Sequence, residues 1–339
     1  QILFSILSVE KDFAVFGEFV DITANLIGNL LHSGEFKYAV SLIKFLRDLS
    51  RNEKISPEQK ERLSKAMEGV ASEGIIKDLE EVIDTTDKIK PEELKEFLLL
   101  FGKTAIKPIC ELLAVVQKME MRKTIVDALV EMGNETPEVF LPFLADKRWY
   151  LIRNTVIVLR RIGSPALLEP VGKLVSHKEP RVRKEVLLYL EAVPEPRALS
   201  YIMKLLNDDA GALRIHALKT LAGSKFQGAL KPILEITASK EFEGMDIAEK
   251  RAVFEALGEL GADEVVPMFK EMLLKRYWFN KAKEKESVIL AVAGLRKAKT
   301  DAAIKALEEG SAVKKDEFKT FITQAIRSIS VEKAKAATK

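Results

Sequence analysis

The sequence is poor in the residues that staple, turn or ligate. Cys110 is the only cysteine, so no intrachain disulfide and no cysteine metal cluster can form. That fits a reducing, cytoplasmic setting. The three histidines, His32, His177 and His216, lie far apart, which excludes a helical pair of zinc ligands. Glycine is sparse, and Gly133, Gly163 and Gly172 stand singly, so no glycine-rich loop can cradle a phosphate. Aromatics are 7% and prolines 12 of 339 residues, against 47% hydrophobic and 31% charged. This composition excludes a large β-sandwich and a disordered chain and points to helices.

Neither sign of charge dominates. The formal net charge of +3 is too small to imply a polyanion partner by itself. Residues 1–100 carry 13 basic and 19 acidic side chains, a net of −6 that would repel nucleic acid. Long apolar runs are also missing. The most apolar window, 14–31, is crossed by Glu18, Asp21, Asn25 and Asn29 on one helical stripe. It therefore predicts an amphipathic helix and no membrane insertion. The chain opens without Met or a basic leader, which reads as a fragment of a larger multidomain chain.

What is present is a repeat. Apolar triplets at offsets 0, +4 and +7 mark one helical face. They run Leu63/Met67/Val70, Leu94/Leu98/Phe101, Ile125/Leu129/Met132, Thr155/Leu159/Ile162 and Val186/Leu190/Val193. They continue as Ala217/Leu221/Ser224, Val253/Leu257/Leu260, Val288/Val292/Leu295 and Ile322/Ile326/Ile329. Only Thr155 and Ser224 break the rule. The central residues are spaced 31, 31, 30, 31, 31, 36, 35 and 34 apart. A second apolar segment lies between successive triplets, for example Leu167/Val171/Leu174. Each period is thus an antiparallel pair, helix A then helix B. A single pair cannot bury its apolar faces, so neighbours must stack. The expected fold is an all-α, right-handed α-solenoid. Residues 1–35 are an N-terminal helical cap, 36–330 the array and 331–339 a fraying tail. Gly133, Gly163 and Gly261 are expected to close B helices in the left-handed conformation.

Pro108, Pro142, Pro170, Pro232 and Pro267 each sit in an apolar-x-Pro-apolar string near the start of an A helix, where proline bends the chain. With the B-helix strings at 148–163, 181–190 and 249–261, this resembles HEAT repeats of the short bacterial kind. The resemblance implies a scaffold or binding surface and supplies no catalytic residue.

The residues themselves offer little chemistry. Cys110 sits among Ile109, Leu112 and Leu113 with no cation beside it, so it reads as a buried structural thiol. Glu80/Glu81, Glu92/Glu93 and Glu308/Glu309 read as solvated faces. No enzyme, cofactor or metal is expected. The arginines are more informative. Arg122, Arg148, Arg153, Arg181, Arg183, Arg214 and Arg251 stand at or near B-helix starts, where the helix dipole disfavours cations. They form either an inter-repeat ladder with turn carboxylates or a basic ridge holding an anionic partner.

The two longest periods carry their extra residues between helices A and B, at 238–246 and 275–285. Stacking should bring both to one edge, gathering Phe242, Met245, Tyr277, Trp278 and Phe279 with Arg276, Lys281 and their basic neighbours. Trp149 and Tyr150 occupy an earlier A–B turn. Aromatics with arginine are the composition of interface anchors. The expected function is a non-enzymatic protein-binding scaffold that uses a concave row of B helices and this edge. The alternative is nucleic-acid binding through the basic residues at B-helix starts.

Overall fold

A computed structural model describes residues 2–70, 73–277 and 279–337; the side chains of 73–78, 104, 336 and 337 lie outside that description. The described residues contain helices and no strand. The chain divides into two compact units, Gln1–Val193 and Pro194–Lys339.

The first unit begins with α1 (Ile2–Val9), α2 (Phe13–His32), α3 (Phe36–Ser50) and α4 (Pro57–Val70). In α2 the stripe Phe16, Val20, Thr23, Ile27 and Leu31 is buried, while Glu18, Asp21, Asn25 and Asn29 face out. By length and composition alone α2 could cross a membrane. Here its buried stripe packs against α3, α4 and α5 (Glu73–Thr85). The triplet of Leu63 places α4 in the row of B helices by periodicity. In the structure α4 instead lies against α2 and α3, and α3 itself packs on α6 (Pro91–Leu99).

From there the pairs are regular. A 3-10 turn at Gly102–Ala105 leads into α7 (Ile106–Val115), which pairs with α8 (Met119–Gly133). The next A helix, Pro137–Ala145, is 3-10 throughout and pairs with α9 (Trp149–Ile162). Then α10 (Leu168–Gly172), with 3-10 turns on both sides, pairs with α11 (Pro180–Ala192).

The second unit holds α12 (Ala198–Lys204) with α13 (Gly211–Gly223), and α14 (Leu230–Thr237) with α16 (Ile247–Gly261). Between the latter pair stands α15 (Lys240–Gly244). After these come α17 (Val266–Leu274) with α18 (Lys281–Ala298), and α19 (Asp301–Val313) with α20 (Asp316–Ala337). Within each unit the pairs stack as in an α-solenoid: α6, α8, α9 and α11 succeed one another in the first, and α13, α16, α18 and α20 in the second.

Five of the A helices carry Pro108, Pro142, Pro170, Pro232 or Pro267 inside them and are short, several with 3-10 turns, because the proline ring displaces the preceding carbonyl. The B helices are continuous, and their triplet residues form the core. Ile125, Leu129, Val186, Leu190, Val253, Leu257, Val288, Val292 and Leu295 are all buried. Thr155 fits the buried face because its hydroxyl donates to the Leu151 carbonyl (2.9 Å). Ser224 lies past the end of α13 and is exposed.

The glycines do different work from that expected. Gly163 does take a left-handed conformation (φ 71°). Gly133 and Gly261 do not. A Cβ on Gly133 would meet the Phe140 ring at 2.2 Å, and one on Gly261 would meet Val265 at 2.5 Å. Both make room for the following A helix. The carboxy-terminal segment also departs from expectation: α20 remains helical to Ala337, tied by Lys299–Glu332 (2.7 Å) and by Lys333–Asp301.

Candidate functional site

The cations at B-helix starts find acceptors at the ends of the A helices. Arg122 donates to the Val116 carbonyl (2.9 Å), Arg183 to that of His177 (2.8 Å) and Arg214 to that of Asp208. Each acceptor lies six residues upstream and is the C-cap of the preceding A helix. There the macrodipole is negative, so the guanidinium that helix B would repel is held by helix A.

A second set of contacts runs to the next repeat. Arg122 reaches Asn154 (3.5 Å), Arg153 faces Glu185 (3.7 Å), Arg214 pairs with Glu249 (2.7 Å) and Lys250 with Glu286 (2.7 Å). Arg148 pairs with Asp146 (3.0 Å) and Glu111 (3.4 Å). Its hydrogen bond holds the Asp146 carboxyl below the ordinary carboxylate range. Arg181 pairs with Glu179 (2.8 Å) and lies 4.4 Å from the centre of the Trp149 ring. Arg251 pairs along its own helix with Glu255 (2.9 Å).

Trp149 and Tyr150 pack edge to face, 5.9 Å apart, at the start of α9 in the first unit. Trp149 thus contacts both Tyr150 and Arg181, with Tyr150 the more exposed of the two rings.

The lengthened connections belong to the second unit. The first folds as α15, started by Ser239, whose hydroxyl accepts from the Phe242 amide (3.2 Å). The second runs from Lys275 to Asn280, whose side chain accepts from the Lys283 amide (2.9 Å) and starts α18. The two line one open cavity of about 760 Å³, with Phe242 from the first and Tyr277 and Lys283 from the second. Phe279 is fully exposed. Arg276 and Lys281 are exposed, whereas Trp278 lies outside the described residues. Met245 is not in this cavity. It lines a neighbouring groove of about 1020 Å³ with Met203, Pro232 and Ile236. The five-residue α15 contributes to both, Phe242 and Glu243 to one and Glu241 and Gly244 to the other.

The sequence did not single out Lys250, Met272, Glu286 and Leu290, which complete the smaller cavity. Lys250 is nearly buried, pairs with Glu286 and lies 5.4 Å from the centre of the Phe242 ring. One signal was available: residues 250 and 286 carry opposite charges and are 36 apart, one more than the 35 that separate Leu257 and Val292 in the same two helices.

Elsewhere the chemistry is quiet. Cys110 is buried, and burial pushes its thiol up to about 12, far from a reactive thiolate at neutral pH. The His177 ring accepts from the Glu179 amide (3.0 Å), a turn contact. Among the described residues no group of three His, Cys, Asp or Glu is placed to hold a metal.

Residues 137–222 match the family model for HEAT repeats. Among solved structures, the chain resembles an engineered protein at 18% identity, covering 97% of this chain and 98% of that one with a TM-score of 0.42. It also resembles a circular tandem repeat protein with a novel repeat topology and enhanced subunit contact surfaces. That match has 14% identity, covers 96% of this chain and 79% of that one, and has a TM-score of 0.22. Neither score is high enough to carry an argument. The sequence matches no curated protein.

Proposed function

We propose, from its being a HEAT-like repeat protein, that this chain is a non-enzymatic protein-binding scaffold of the cytoplasm. Repeat stacks of this kind offer extended surfaces and take partners through many shallow contacts with a few anchors. The observation that carries the reading is the edge around 242–283 of the second unit. Aromatic rings there stand beside cations, and one of them, Phe279, has nothing packed over it. Tyr150 with Trp149 is a second candidate contact, in the first unit. The exposed faces of the B helices would supply the remaining area.

The nucleic-acid alternative draws on the same basic residues. The arginines at B-helix starts favour it less, because their N–H groups are spent on A-helix carbonyls and neighbouring carboxylates. Affinity capture with the folded chain as bait tests the proposal, comparing wild type with Tyr277→Ala/Phe279→Ala and with Trp149→Ala/Tyr150→Ala. The expected result is a captured protein lost with one of the pairs while circular dichroism is unchanged. Capture of nucleic acid alone, weakening steeply with salt, would support the alternative instead.

A further inference from the structure

We propose that the cavity between the two lengthened A–B connections of the second unit receives an acidic peptide segment, with one aromatic or aliphatic side chain seated inside and carboxylates on the rim. This rests on the scaffold reading and makes it specific.

The interior suits an uncharged group. Phe242, Met272, Tyr277 and Leu290 contribute apolar surface, and the cavity of about 760 Å³ has the size of a small-ligand pocket. The charge at its wall is already neutralised, since Lys250 pairs with Glu286 at 2.7 Å and rests against the face of Phe242. A side chain entering here meets these apolar groups together with the polar Ser239, Asn280 and Ser287.

The rim is different. Lys275, Arg276, Lys281, Lys283 and Lys285 fall within eleven residues, and none pairs with a carboxylate among the described residues. Of the acids beside them, Glu284 is taken by the buried Lys314 at 2.7 Å and Glu286 by Lys250 at 2.7 Å. This contrasts with Arg122, Arg183 and Arg214 at B-helix starts, whose acceptors are built in. On the opposite wall, α15 adds Lys240 and Glu243. Of these cations Lys240 and Lys283 line the cavity, beside Glu243; the others stand exposed in the same connection and the start of α18. A partner carrying several Asp or Glu residues meets an excess of positive charge, and such complementarity raises association rate and selects against basic competitors.

The same arrangement disfavours a nucleic-acid strand. Phosphates following the rim would pass the carboxylate of Glu243. A peptide can place its acids and its apolar side chain independently.

Fluorescence anisotropy tests this with a short labelled peptide of Glu and Asp around one central Phe. Its controls are the Gln/Asn counterpart and an oligothymidylate of equal charge. The expected result is saturable binding of the acidic peptide, about tenfold weaker for the Gln/Asn counterpart. Lys281→Gln/Lys283→Gln and Tyr277→Ala should each weaken it by about tenfold without changing the melting temperature. Equal binding by the variants, equal binding of the uncharged peptide, or tighter binding of the oligothymidylate overturns the inference. Repeating the affinity capture with Lys281→Gln/Lys283→Gln separates the two levels. A protein still captured when the acidic peptide fails to bind overturns the acidic-segment inference and leaves the scaffold. Loss of the captured protein with this variant supports both levels, and a wild-type chain that captures no protein overturns the scaffold.

Discussion

Arg214 donates to the Asp208 carbonyl behind it and to Glu249 in the next repeat, and neither partner has much access to water. Arg214→Met would leave the Glu249 carboxylate buried and unpaired, at a cost of about 3 kcal/mol in urea denaturation. Arg214→Met/Glu249→Met should recover most of that loss, because the desolvated charge is gone along with its partner. An additive double variant would show that the pair is not coupled. Cys110 makes a second prediction. Its thiol is raised from an ordinary 9.0 to about 12, so the folded state favours the protonated form. The stability this contributes is fully present below pH 9 and is lost as pH rises towards 12. A thiol reagent at pH 8 should label it only at the rate of unfolding; rapid labelling of the native chain would contradict the burial. Asp146 has the opposite sign. Its lowered value contributes stability above the ordinary carboxylate pKa that is lost as pH falls, so Asp146→Asn should flatten the acid limb of the stability curve. At this scale the sequence revealed that arginines gather at B-helix starts. It did not reveal that they bond A-helix carbonyls six residues back, since that depends on the path of the turn.

Glycine and proline decide how the helices meet. A Cβ on Gly258 would stand 2.0 Å from the Gly294 carbonyl oxygen, and that oxygen, being backbone, cannot swing away. Gly258→Ala should therefore destabilise by about 1–3 kcal/mol although alanine is the better helix former. Gly28→Ala in α2 meets nothing within 4 Å and should be neutral or stabilise by up to about 1 kcal/mol. Thermal melts of the two variants check the contrast, and equal shifts would mean that α16 and α18 are not in close contact. Helix pairs were legible because the triplet period and the proline strings recur. The place of α4 was not, because an apolar 0, +4, +7 face is the same whether it packs in the row or beside it. The ordered end of α20 was hidden too, since ion pairs to Lys299 and Asp301 hold it where the sequence lacks an apolar face.

Across the whole chain, the steady 31-residue spacing passes from Leu190 to Leu221 without a mark, yet the compact units divide after Val193. Periodicity reports local stacking and is blind to contact density, which sets such divisions. The lengthened connections were legible as departures from the period, and the cavity they share follows from their being in consecutive repeats. Its inner wall was not legible, because Lys250 and Glu286 look like ordinary surface residues until the helices are side by side. Two sets of cations thus stand apart among the described residues: arginines and lysines paired from one helix to the next, and the cations of 275–285, which pair with no carboxylate.

Thermal unfolding followed by circular dichroism separates these sets in one comparison. Arg153→Gln/Arg214→Gln removes cations with acceptors in the stack. Lys275→Gln/Arg276→Gln/Lys281→Gln/Lys283→Gln/Lys285→Gln removes those without. The account predicts a melting temperature lower by several degrees for the first variant and no lower for the second. A second variant that melts early while the first is unchanged would contradict it.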